Sequence, residues 1–182
     1  DMDVLSASFF DDKIAWYEND GSQNFTAHTI TTSADNAYSV YSTDMDSDGD
    51  MDVLSASYRD DKVAWYENDG SQNFTGHKMT TSADGACSVY STDVDSDGDM
   101  DVLSASVMVC KIAWYENDGG QNFTVHIITT SAVRPVSIYS TDVDGDGDLD
   151  AFLGNQGSGK TVWLNDGEGQ FSDSGQALGS GD

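Results

Sequence analysis

The stretch Asp44-Met-Asp46-Ser-Asp48-Gly49-Asp50-Met-Asp52, followed at once by Val53-Leu-Ser-Ala-Ser57, decides how this chain is read. Its acidic part returns as Asp93 to Asp101 and again as Asp142 to Asp150. Each copy sets carboxylates at loop positions 1, 3, 5 and 9 and a glycine at position 6. Hard oxygen ligands around a sharp turn are what a calcium ion requires. Position 12, where an EF-hand needs a bidentate acid, is Ser55 inside an apolar run. The loop is therefore read as calcium-binding and not as an EF-hand.

The repeat extends beyond the loop. Trp16, Trp65, Trp114 and Trp163 stand 49 residues apart, as do Asp44, Asp93 and Asp142. A fixed period of this length marks a solenoid, a propeller or an array. One unit runs Ala37-Tyr-Ser-Val-Tyr-Ser-Thr43, acidic loop, Asp52 to Ser57, Lys62-Val-Ala-Trp-Tyr-Glu67, an Asn68-Asp-Gly-Ser-Gln72 turn, and Phe74 to Thr80. These are four short strands punctuated by Gly, Asn, Asp and Ser. Val63, Ala64, Trp65 and Tyr66 are consecutive, so their strand has apolar surface on both faces and belongs between two layers. Four antiparallel strands per unit, packed through both faces, describe a propeller blade. The expected fold is all-β, with a partial blade over residues 1–35 and blades over 36–84, 85–133 and 134–182.

The pattern Tyr38-Ser-Val-Tyr-Ser-Thr-Asp44, the Asp-x-Asp-x-Asp-Gly-Asp-x-Asp loop and Asp52-Val-Leu-Ser-Ala-Ser57 resemble the FG-GAP repeat of integrin α-subunit propellers. They are still more similar to the VCBS-type repeats of large secreted and surface bacterial proteins. Ser-Ala-Ser stands where that family has Gly-Ala-Pro. The resemblance implies a β-propeller with calcium loops joining the first and second strands of each blade, in a secreted or cell-surface protein.

By the loop pattern, Asp44, Asp46, Asp48 and Asp52 offer side-chain oxygens and Asp50 its backbone carbonyl. Asp93, Asp95, Asp97, Asp99 and Asp101 repeat the set, as do Asp142, Asp144, Asp146, Asp148 and Asp150. Asp1 and Asp3 read as the remnant of a fourth loop. Three complete calcium sites and one partial site are expected, with a structural role, because like charges this close need a cation to fold together.

Composition narrows the partners. With 33 acidic and seven basic residues, a net charge of −26 argues against a nucleic-acid surface and against anionic membranes. No apolar run is long enough to span a bilayer, so membrane insertion is not expected. Aromatic residues make up 10 % of the chain and recur in register, which separates it from acidic disordered segments.

Other motifs are read more plainly. Gly154 to Thr161 formally matches a phosphate loop, but such a loop must open a helix, and here Val162-Trp-Leu and an Asn165-Asp-Gly167 turn follow. The sequons Asn24-Phe-Thr26, Asn73-Phe-Thr75 and Asn122-Phe-Thr124 coincide with strand starts, as in the fourth copy, where Gln170-Phe171-Ser172 loses the sequon. His28, His77 and His126 read as surface residues of the outer strand, and the tryptophans as buried between blades. Cys87 and Cys110 replace Tyr38 and Asp61 of another copy; they are either a pair or two free thiols.

The turns after the second strand vary most: Phe9-Phe10-Asp-Asp12, Tyr58-Arg-Asp-Asp61, Val107-Met-Val-Cys110 and Gln156 to Gly159. The entries to the first strand vary too: Asp35-Asn36, Asp84-Gly85 and Val133-Arg134-Pro135. Both sets fall on the rim opposite the calcium loops, and apolar surface there marks an interaction face. A protein or glycan ligand on this face is the first expectation. Completion of an open blade array by copies, as a homo-oligomer or fibre, is the second. An accessory domain of a secreted enzyme is the third. No Ser/His/Asp, Cys/His or isolated carboxylate pair reads as catalytic.

Overall fold

The computed structural model describes residues 1–156 and 159–178. It is all-β, with four antiparallel sheets in chain order. The first has three strands, β1 (Val4–Ser8), β2 (Lys13–Asn19) and β3 (Phe25–Thr31). The second has β4 (Ala37–Thr43), β5 (Asp52–Ser57), β6 (Lys62–Asn68) and β7 (Phe74–Thr80). The third has β8 (Ala86–Thr92), β9 (Asp101–Ser106), β10 (Lys111–Asn117) and β11 (Phe123–Thr129). The fourth has β12 (Pro135–Thr141), β13 (Asp150–Asn155), β14 (Lys160–Asn165) and β15 (Phe171–Leu178). Each sheet is a simple meander, and the stack is a β-propeller segment.

The layers are held by the two-faced strands. Every residue of β5 and of β9 is buried, so these strands read as continuous small and apolar runs instead of alternating ones. One core joins Leu54 and Trp65 of the second sheet to Val89, Val102 and Tyr115 of the third. A second joins Leu103 and Trp114 to Ile138, Ala151 and Leu153 of the fourth. A third joins Ile14 of the first sheet to Val53, Ala64 and Tyr66 of the second. Leu54 faces Trp65 across the β5–β6 ladder, and Leu103 faces Trp114 in the same register one sheet on.

The first strands of successive sheets approach closely enough for side chains to bond the next backbone. Ser39 Oγ accepts the Val89 N–H at 3.3 Å, and Ser88 Oγ accepts the Ile138 N–H at 3.1 Å. Beside them runs a ladder of rings, Tyr41 to Tyr90 to Tyr139, with 4.8 Å between centroids at each step. At the far end of the strands, Lys62 Nζ donates to the Ser33 carbonyl and Lys111 Nζ to the Ser82 carbonyl, both at 2.6 Å. Each lysine thus ties its sheet to the loop leaving the preceding one.

Trp65 and Trp114 are buried as expected, while Trp16 and Trp163, in the outermost sheets, are half-buried. The histidines sit part-exposed on the outer strands, as expected, and make specific contacts there. His28, His77 and His126 stack on Trp16, Trp65 and Trp114 at centroid distances of 4.3, 4.5 and 4.5 Å. Their Nε2 atoms lie 3.1, 2.7 and 2.6 Å from Glu18, Glu67 and Glu116. Each imidazole caps an indole and is oriented by a carboxylate on the neighbouring strand.

Candidate metal centre

The acidic loops run between β4 and β5, β8 and β9, and β12 and β13. Their turns are wound by the aspartates themselves. Asp44 accepts the N–H of Asp48 at 3.1 Å and of Gly49 at 3.0 Å, and Asp48 accepts that of Asp50 at 2.9 Å. Gly98 and Gly147 donate in the same way to Asp93 and Asp142, at 3.0 and 3.2 Å. The position-6 glycines have φ of 97°, 99° and 102° at Gly49, Gly98 and Gly147, although nothing crowds their Cα. Backbone conformation, not lack of space, requires glycine there.

These turns gather Asp44, Asp46 and Asp48 in the second sheet's loop, with one oxygen of each within 4.8 Å of the others. Asp93, Asp95 and Asp101 meet in the third, and Asp142, Asp144 and Asp146 in the fourth. Burial and the neighbouring carboxylates push Asp46, Asp95 and Asp144 above the ordinary carboxyl range. Among the described residues, none of these carboxylates pairs with Lys, Arg or His. Asp93 Oδ1 is buried without a hydrogen-bond partner. A clustered, oxygen-only donor set with an orphaned buried carboxylate oxygen and no protein cation fits a hard divalent ion.

Position 9 does work that loop spacing does not reveal. Asp52 Oδ2 accepts the Met45 N–H at 3.0 Å and its Oδ1 the Asn68 N–H at 2.8 Å. Asp101 makes the same pair with Val94 and Asn117 at 2.9 and 2.8 Å, and Asp150 with Val143 and Asn165 at 2.8 and 2.9 Å. Asp3 accepts from Asn19 at 2.8 Å in the first sheet. This residue pins the start of the loop to the third strand of its own sheet. Burial raises Asp52 and Asp101 to about 6 despite those donors.

Position 7 points elsewhere. The carboxylates of Asp1, Asp50, Asp99 and Asp148 lie against Gly21, Gly70, Gly119 and Gly167, so closely that a β-carbon on any of these glycines would come within 2.4–2.8 Å of a carboxylate oxygen. That hairpin turn therefore needs glycine both for its positive φ and for the loop resting on it. With its side chain so placed, position 7 is left to offer its backbone carbonyl to the loop.

The remaining motifs resolve into structure. Asn24, Asn73 and Asn122 each donate through Nδ2 to Asp20, Asp69 and Asp118, at 2.8, 2.9 and 3.0 Å, closing their own turns. These bonds hold the three exposed carboxyls below their usual range. Lys160–Asn165 is strand β14, not a helix, and part of the phosphate-loop match, Gly157-Ser158, lies outside the described residues. The same holds for the middle of the fourth variable turn.

Cys87 and Cys110 are both free. Cys87 Sγ lies 3.2 Å from the Pro135 carbonyl, and burial raises its thiol to about 11. Cys110 is partly exposed in a turn at φ 53°, in the place of Asp12 and Asp61. Only the thiolate is the nucleophile. One equivalent of a thiol reagent is therefore expected to label the native protein at neutral pH, at Cys110, and two the denatured protein. Labelling of Cys87 at a comparable rate in the native protein would contradict this burial.

The rim opposite the acidic loops is knit from the variable turns. Asn36 Nδ2 donates to the Phe9 carbonyl at 2.7 Å, and Tyr58 and Arg59 donate backbone N–H groups to Asn36 and Asp35. Phe9, Tyr38 and Tyr58 form a triangle with centroids 6.0–6.2 Å apart, and Phe10 packs edge-on against Phe9. Phe10 is 95 % exposed and Met108 66 %. Phe9, Tyr38 and Tyr58 line a concavity of about 330 Å³ that continues over Val107 to Arg134 and Gln156.

Stacked antiparallel sheets, three of them four-stranded with an acidic turn between the first and second strands, define a repeat propeller with metal-type loops. The family model of the FG-GAP-like repeat matches residues 1–55, 44–104, 108–153 and 142–182, and the chain belongs to that family. No curated protein matches it.

Proposed function

We propose that this chain is a calcium-stabilised, non-catalytic propeller module of a secreted or cell-surface protein, and that it presents the rim opposite its acidic loops to a protein or glycan ligand. Asp44, Asp46 and Asp48, with the Asp50 carbonyl and Asp52, would hold one ion; the sets beginning at Asp93 and Asp142 would hold two more. Bound calcium supplies positive charge and oxygen coordination to turns whose carboxylates otherwise repel one another. The residues then divide the labour. The loop aspartates fix the blade ends, while the opposite turns are free to vary.

The observation that carries the binding face is the ring cluster of Phe9, Phe10, Tyr38 and Tyr58, in which Phe10 and Tyr38 are exposed and the other two half-buried, on an otherwise strongly acidic chain. Aromatic side chains give large contact area at little entropic cost, and sugar or apolar side chains can stack on them. The test is a screen of surface glycans and extracellular proteins in millimolar calcium, with the wild type beside Phe10→Ser/Tyr38→Ser. Binding by the wild type, weakened at least roughly ten-fold in the variant at an unchanged melting temperature, is the expected result. A bound ligand indifferent to the variant would place the binding face elsewhere.

A further inference from the structure

The acidic loops of the second and third sheets are each clasped by the sheet that follows. Met45 and Val94, at loop position 2, are 1 % exposed, whereas Val143, in the last sheet, is 41 % exposed. Asn117 Nδ2, at the end of β10, donates to the Met45 carbonyl at 3.2 Å. Asn165 Nδ2, at the end of β14, donates to the Val94 carbonyl at 2.7 Å. This first clasp is common to both interfaces and reaches the backbone of the loop, not its carboxylates.

A second clasp is confined to one loop. Gln121, in the turn between β10 and β11, extends its amide to Asp46 of the preceding sheet, with Nε2 3.3 Å from Oδ2. Gln121 holds a left-handed backbone, φ 63°, as do Gln23 at 67° and Gln72 at 65° in the equivalent turns. A non-glycine residue there carries strain, so the turn keeps a side chain where glycine would relax it. The fourth sheet does the reverse. Gly169 occupies the equivalent place at φ 73°, and a β-carbon there would strike the Trp114 ring at 2.1 Å. The loop from Asp93 to Asp101 therefore has no such amide from the sheet that follows it.

We infer that Gln121 is a positioning residue for the metal site of the preceding sheet: its amide orients the Asp46 carboxylate from across the blade interface, so that ion binding at Asp44–Asp52 and closure of that interface reinforce each other. The inference rests on the calcium reading above. Outer-shell donors fix the orientation of metal-binding carboxylates. Because this donor comes from another sheet, its coupling is reciprocal: whatever tightens the interface tightens the ion, and the converse.

Hydrogen exchange followed by mass spectrometry across a calcium titration reads each loop separately. In the wild type, amides of residues 44–52 and 93–101 gain protection as calcium is added. In Gln121→Ala, which retains a β-carbon at the same φ, the midpoint for 44–52 should move to about ten-fold higher calcium, with 93–101 unmoved and the melting temperature in chelator unchanged. Gln121→Glu should move it the same way, because a second carboxylate faces Asp46. An unmoved midpoint in Gln121→Ala overturns the proposal. A tighter site in Gln121→Glu also overturns it, by making the side chain a direct ligand. If no wild-type loop gains protection, the calcium reading itself falls and the proposal with it.

Discussion

Excess chelator is expected to lower the melting temperature of this protein by roughly 20 °C. The reasoning is linkage. An ion that binds only the folded state at a hundred times its dissociation constant adds about 2.7 kcal/mol. Three such loops together add about 8 kcal/mol, on the order of the entire stability of an ordinary domain. For a chain of this size each kcal/mol is worth about 2–4 °C. The structure explains why so much should rest on the ions. Asp93 Oδ1 is buried without a partner, Asp46 and Asp95 are pushed upward by burial and by their neighbours, and no described lysine, arginine or histidine offsets the clusters. Thermal melting followed by circular dichroism, in millimolar calcium and then in chelator, checks it. Coincident melts would show that the loops close without metal.

The second large effect is in the packing between sheets. Trp65→Ala should destabilise the calcium-bound protein by about 3–5 kcal/mol, the range for deleting a large buried ring. Trp65 is 1 % exposed, faces Leu54 across its ladder, and belongs to the core shared with Val89 and Val102 of the next sheet. The change leaves a cavity at an interface between layers and strips His77 of the indole it stacks on. Trp16→Ala should cost visibly less, since Trp16 is half-buried in an outermost sheet. Denaturant melts of the two variants measure the difference. Equal losses would mean that the inter-sheet core is not where the stability lies.

Much of the fold was legible because its signals are local or strictly periodic. Val63-Ala-Trp-Tyr66 is apolar on both faces, and β6 is indeed buried on both sides between neighbouring sheets. The acidic loops announce themselves by spacing, and the structure gathers positions 1, 3 and 5 in two of them and 1, 3 and 9 in the third. What escaped depends on residues far apart in sequence. Spacing marks Asp52 only as a ligand; its pinning of Met45 to Asn68 needs the β5–β6 register. Asn117 and Gln121 reach loops more than 70 residues earlier, and only the stacking of sheets brings them there. The persistence of Gln at 23, 72 and 121 was a signal in plain view, but its meaning lies in the positive φ, which no residue count discloses. The histidines do lie part-exposed on the outer strands, as the sequence suggests, but their contacts escape it for a similar reason. Their ring stacking follows from the bulged β2–β3 type register, which sets His28 opposite Trp16.

Cys87 and Cys110 show the limit of reading departures in pairs. Both fall in the third unit, yet one serves as a small buried residue against Pro135 and the other occupies a left-handed turn. Each replaced a different function: a ring on the rim in the case of Tyr38, and in the case of Asp61 a carboxylate that accepts the Gly85 N–H at 2.9 Å.

The calcium count of the folded chain tests the central claim most directly. Metal-stripped protein, titrated with calcium in a calorimeter, should bind three ions per chain. Asp44→Ala/Asp46→Ala should bind two. Titration without heat, at a calcium level where the protein is fully folded, would contradict the account and leave the acidic loops as turns that need no metal.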